Sequence, residues 1–279
     1  MTAEACDLPR VTTAHPLRGL GGMLAMELQI WFPWRWLILS ATGVGVFALV
    51  YIPWTLTEAN QLGSLLYFFF ALWMIVMFLA VVALTEGSVL GEIEGGTAAW
   101  LTALPIARPA VITAKLAAAA AGITAVVFTV GLGTYPLLSA ASKKGVTEFR
   151  FDELSEILSG PIGMWGRFTR LAELGEWLLT LGAAAMLLTF VAAVMMLLGT
   201  VLRSRTLVFG LGLAVVGVFG ALAMTGSFAD ASPSGLIGVI VDSLQAKPAA
   251  FATPLLASAV WIVAVVLLAA WRFNRRELA

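Results

Sequence analysis

Charge is scarce in this sequence, and much of what there is gathers in one place. Residues 86–115 read EGSVLGEIEGGTAAWLTALPIARPAVITAK and hold three acids (Glu86, Glu92, Glu94), two bases (Arg108, Lys115) and two prolines between long apolar runs. The chemistry open to such a set is ion pairing across a chain reversal. If the stretch folds back as a hairpin, Glu86 at the end of one helix meets Arg108 and Lys115 at the head of the next. A partly desolvated contact of that kind locks two helices together, and removing one member strands the other charge. The competing use of Arg108 and Lys115 is as topology signals whose side chains snorkel to lipid headgroups. Glu92 and Glu94 are the next candidates for the pairing.

Other chemistries are poorly supplied. There is one histidine, His15, and one cysteine, Cys6, both near the N-terminus. Haem ligation, histidine-based zinc chemistry, an internal disulfide and multi-cysteine metal sites therefore lack their ligands. No G-x-x-x-x-G-K-[ST] occurs, and Gly95 and Gly96 are followed by neither Lys-Ser nor Lys-Thr, so this is no phosphate cradle. The apolar runs hold no nucleophile–base pair and no clustered acids, so the chain is not expected to be an enzyme. A formal net charge of zero gives no case for nucleic acid.

Within the charged stretch, Gly95 and Gly96 break the preceding helix and Thr97 can cap a new one. Ala98–Leu104 then makes about two turns, which Pro105 closes. Trp100, Leu101 and Leu104 fall on one face at spacings of three and four. The piece is a short amphipathic helix between a glycine break and a rigid turn.

Glu94-Gly95-Gly96-Thr97, Leu101, Leu104-Pro105-Ile106, Arg108 and Lys115 resemble the cytoplasmic segment between the second and third membrane helices of ABC-2 type permeases, the membrane subunits of ATP-driven exporters. Trp100 and Pro109 depart from that pattern. The resemblance implies a coupling role for Glu86, Glu92, Glu94, Gly95, Gly96, Thr97, Trp100, Leu101, Leu104, Pro105, Arg108 and Lys115. It also implies a separate cytoplasmic ABC ATPase subunit that binds ATP and Mg, so that this chain carries no cofactor. A second permease copy or a homologous permease would complete the complex, in the plasma (inner) membrane.

The elements that must position this stretch are those of an all-α integral membrane protein. The chain is 61% hydrophobic and 11% charged, against roughly 25% charged in soluble domains. Six apolar runs approach the roughly twenty residues a bilayer requires: Trp36–Thr57, Leu62–Leu84, Ile112–Ser139, Trp177–Leu202, Leu207–Thr225 and Pro254–Trp271. They make a single permease domain, 1–279, with a tail and interfacial helix over 1–35, the coupling segment over 86–111, and extracytoplasmic loops over 140–176 and 226–253. Residues 1–16 do not read as a cleavable signal. In Leu17–Phe32, Leu20, Leu24, Leu28 and Trp31 form an apolar stripe beside Arg18, Glu27 and Gln29, which suits a helix in the interface plane or a helical extension of the first span. Of the sixteen Lys and Arg, ten fall in the tails and in the loops after spans two and four: Arg10, Arg18, Arg35, Arg108, Lys115, Arg203, Arg205, Arg272, Arg275 and Arg276. The positive-inside rule puts both termini and the coupling segment in the cytoplasm.

On the opposite side, Phe151, Leu154, Ile157 and Leu158 line one face against Asp152, Glu153 and Glu156, either an amphipathic helix on the outer leaflet or a soluble-facing hinge. Ser232 can cap a short helix over Leu236–Leu244 with Pro233 at its start, too short to span and so re-entrant or interfacial. The near-absence of ionisable groups from the spans argues against an ion-coupled carrier. Small residues at 117–122 and at Gly210, Gly212, Gly217 and Gly220 permit close helix approach, within the chain or between subunits. The resemblance thus leads to an exporter of a hydrophobic or amphiphilic substrate such as a drug, lipid or peptide. The rival is a membrane scaffold or assembly subunit that transports nothing, and the charged stretch, of no use to a scaffold, separates the two.

Overall fold

The computed structural model describes residues 18–31, 37–43, 45, 62–95, 107–143, 174–225, 231–244 and 250–275. Among these there are helices and no strands: α1 Leu20–Ile30, α2 Leu62–Glu94, α3 Arg108–Lys143, α4 Leu174–Val201, α5 Arg205–Thr225, α6 Ser234–Leu244 and α7 Ala252–Arg275, with residues 37–43 also helical. Most of the expected first span, the short helix at 98–104 with Gly96, Thr97 and Pro105, and the amphipathic stretch at 151–158 lie outside the described residues.

Among the described residues four helical segments are long and apolar enough to cross a membrane: Leu72–Glu92, Arg108–Gly133, Gly175–Val201 and Ala252–Arg275. α4 is apolar on every side, which is the composition of a helix surrounded by others, and it packs against α2, α3, α5, α6 and α7. Leu181, Ala183, Ala184, Leu188 and Ala192 along it are fully buried. α7 has a buried stripe through Pro254, Ser258, Val265, Ala269 and Phe273. Its other side exposes Leu256, Val260, Val263, Leu267 and Trp271. An apolar exterior on that scale fits lipid rather than water.

Close approach between the helices is made where a side chain is missing. A methyl group at Gly122 of α3 would overlap the Trp31 ring at the end of α1, and one at Gly131 would overlap Leu181 of α4. The Trp177 indole N–H of α4 donates to the Gly131 carbonyl at 2.9 Å, a contact that needs that approach. Gly212 of α5 seats Met195 of α4, whereas Gly210 and Gly217 meet nothing. Gly122 and Gly212 therefore serve packing within the chain.

Two expectations are corrected here. Glu86 does not end its helix: α2 continues through Gly87 and Gly91 to Glu94. Trp73, Met77, Val81, Thr85 and Val89, four apart, are all buried. That face continues past the polar residues, and burial outweighs the cost of two glycines, about 1 kcal/mol each. α1 is the second case. Glu27 was placed on a polar face beside a leucine stripe, but the face turned to α3 is Met23, Glu27 and Trp31, with Glu27 only 4% exposed. The reason is a charge on the neighbouring helix.

Candidate functional site

Lys115 lies two turns into α3 and is 4% exposed. Its ammonium donates to Glu27 Oε1 of α1 at 2.6 Å and to Glu92 Oε1 of α2 at 2.7 Å. Glu27 is as buried as the lysine, with 5% of its side chain exposed, while Glu92 keeps 24%. An ammonium has three donors and no acceptor, so two carboxylates suit it. A buried charge of this kind is tolerated only when paired and hydrogen-bonded. The result is a clamp joining three helices through one nitrogen, with two negative charges against one positive.

The backbone arranges this. α3 begins at Arg108 with Pro109 in the first turn, where a missing N–H costs no hydrogen bond. The Ala107 N–H donates to the Arg18 carbonyl at 3.1 Å, which ties the start of α1 to the start of α3. The two helices then run side by side, and Glu27 and Lys115 meet on facing sides.

Around the clamp lie the other charged residues of this end of the bundle. Glu94 Oε2 accepts from the Arg205 Nε–H at 2.8 Å, bringing the end of α2 to the start of α5; both side chains are about half exposed, Arg205 at 52% and Glu94 at 41%. A surface pair of this kind contributes about 0–1 kcal/mol. Arg108 Nη1 donates to the Asn274 carbonyl at 3.1 Å, where a cation answers the negative end of α7. Seven of the eight described Lys and Arg residues lie at this end of the bundle, namely Arg18, Arg108, Lys115, Arg203, Arg205, Arg272 and Arg275. Lys143, at the far end of α3, is the eighth.

Of the residues singled out from sequence, the structure brings Glu92 and Lys115 together, while Glu94 and Arg108 meet partners on other helices, Arg205 of α5 and the Asn274 carbonyl of α7. Glu86 enters none of the described ion pairs. It lies beside α4, where its backbone carbonyl approaches Gly199. Gly95 closes α2, its N–H donating to the Gly91 carbonyl at 2.9 Å. Gly96, Thr97, Trp100, Leu101, Leu104 and Pro105 lie outside the described residues. Glu27, Arg205 and Asn274 were missed as partners. The signal for Glu27 was a lone acid inside MLAMELQIWF, in a chain so poor in charge that a single acid among apolar residues calls for a base.

This arrangement can fix helices and transmit force. Among the described residues no three or more His, Cys, Asp or Glu side chains are placed to hold a metal ion. Neither the protein-family models nor the curated proteins contain a match to this chain.

Proposed function

We propose that this chain is the membrane subunit of an ATP-driven transporter of the ABC-2 permease type, exporting a hydrophobic or amphiphilic substrate, with ATP and Mg bound by a separate cytoplasmic subunit. Six spans fit this reading: the four long apolar helices, α5, and residues 36–57. Both termini and the 96–106 segment are then cytoplasmic, two permease copies or homologues pair in the plasma membrane, and α6 is the short non-spanning helix before the last span.

The observation that carries the proposal is the clamp. Residues 96–106 connect α2 to α3, and the helix ends on either side of that segment are joined through Glu92 and Lys115 at 2.7 Å and to α1 through Glu27 at 2.6 Å. Force applied to the connecting segment by a partner reaches three helices as one body. A membrane scaffold has no use for such a joint next to a segment whose sequence reads as amphipathic and proline-stopped.

The test is to purify the chain with whatever ATPase accompanies it in mild detergent. Leu101→Asp with Leu104→Asp should leave the protein inserted and abolish stimulation of that ATPase, because unpaired charge is forced into a packed contact. Undiminished stimulation, or the absence of any accompanying ATPase, refutes the proposal.

A further inference from the structure

A pocket of about 210 Å³ opens between the end of α4, the turn into α5 and the last turn of α7, lined by Thr200, Val201, Arg203, Arg272 and Arg275. Three arginines line one small cavity, and among the described residues no carboxylate lines it. Glu94 and Arg205, which pair with each other, are not among the lining residues. The basic groups come from distant parts of the chain. Arg203 lies in the turn that reverses direction between Val201 and Arg205, and Arg272 and Arg275 lie one turn apart on α7.

Two further features describe the occupant. The cavity is smaller than the roughly 300–1,000 Å³ that drug-sized ligands fill, so it suits a headgroup-sized anion. Arg275 stacks over the Trp271 ring, 4.4 Å from its centroid, and Trp271 is 49% exposed at the end of a helix long and apolar enough to span. An exposed indole at the end of such a helix belongs at headgroup depth. Guanidinium groups bind phosphate through paired N–H donors, and stacking holds the fork of Arg275 in place.

We infer that this pocket binds a phosphate group, supplied either by an anionic phospholipid headgroup or by a soluble phosphate. The site is independent of the transport proposal, since it concerns α4, α5 and α7 rather than the 96–106 segment. The arginines also lie near the C-terminal ends of α4 and α7, where cations are favoured on their own account. The experiment must therefore separate binding from helix capping.

The measurement is binding of fluorescent phosphatidylglycerol to the purified full chain in neutral-detergent micelles. Phosphatidylcholine, whose phosphate charge is cancelled by choline, is the comparison. The expected result is a preference for phosphatidylglycerol of roughly tenfold or more, lowered about fivefold by each of Arg203→Gln, Arg272→Gln and Arg275→Gln. Arg205→Gln, with the same loss of charge outside the pocket, should leave the preference intact. Should a Gln variant not elute as folded protein, Arg→Lys at the same position retains the charge without the fork and should show a smaller loss. Inorganic phosphate that binds with the same arginine dependence in phosphatidylcholine micelles, and displaces the anionic lipid, upholds the site and names its ligand as soluble. Equal affinity for the two lipids without arginine-dependent phosphate binding overturns the inference, as does an equal loss in Arg205→Gln.

Discussion

Replacing Lys115 with methionine keeps the unbranched side chain to its fourth atom and removes the ammonium and its charge. In the native protein that ammonium lies 2.6 Å from Glu27 and 2.7 Å from Glu92. Its removal leaves two carboxylates sharing one buried site, one of them only 5% exposed. Breaking a buried pair by removing one member costs about 3–5 kcal/mol, and burial this deep puts Lys115→Met in that range. The two acids should behave differently. Glu27→Gln leaves a neutral Lys115–Glu92 pair and a Gln oxygen that can still accept, so the loss is about 1–2 kcal/mol, that of a weakened hydrogen bond to a charged group. Glu92→Gln leaves the more buried Glu27–Lys115 pair intact and relieves the excess negative charge, so its cost is below about 1 kcal/mol. The assay is equilibrium unfolding of the purified chain in mixed micelles by SDS titration. Lys115→Met with Glu27→Gln should be more stable than Lys115→Met alone, a non-additivity of about 0.5–3 kcal/mol expected of groups in contact. A loss under 1 kcal/mol in Lys115→Met, an additive double variant, or a greater loss in Glu92→Gln than in Lys115→Met refutes the clamp.

Glycine substitutions should follow what each added methyl meets. Gly122→Ala presses on the rigid Trp31 ring and should cost about 1–3 kcal/mol, Gly212→Ala meets only flexible Met195 and should cost under about 1 kcal/mol, and Gly210→Ala, with nothing near it, should be neutral or stabilising in the same unfolding assay. Trp177→Phe removes the buried donor to the Gly131 carbonyl and should lose about 1–2 kcal/mol, read as a shift in the unfolding midpoint. Reporters fused after Ala279 and near Ser142 should lie on opposite sides of the membrane; signals from the same side reject the six-span topology. Arg108→Glu combined with Glu86→Arg should not recover what Arg108→Glu loses in stability, because Arg108 donates to the Asn274 carbonyl of α7 while Glu86 lies beside Gly199 of α4; recovery would restore the pairing first expected from sequence.

Composition alone pointed to membrane character, because 61% hydrophobic residues with 11% charged ones depart far from the roughly 25% charged residues of soluble domains. The sequence also placed the long apolar helices, since the lengths a bilayer requires and the glycine and proline breaks are local properties. Glu92 and Lys115 drew attention for the same reason: charge next to a span stands out against its background. What sequence did not decide was who meets whom. Glu86 and Glu92 are six residues apart on one helix, and the choice between them depended on where α2 ended, which buried Val89 and Leu90 settled by carrying the packed face past two glycines. Glu27 lies 88 residues from Lys115, and no periodicity within α1 could reveal that a base awaited it. Only the packing of α1 along α3, admitted by the missing side chain at Gly122, turned that acid inward. The arginine pocket has the same origin, since Arg203 and Arg272 become neighbours only once the ends of α4 and α7 are drawn to one end of the bundle.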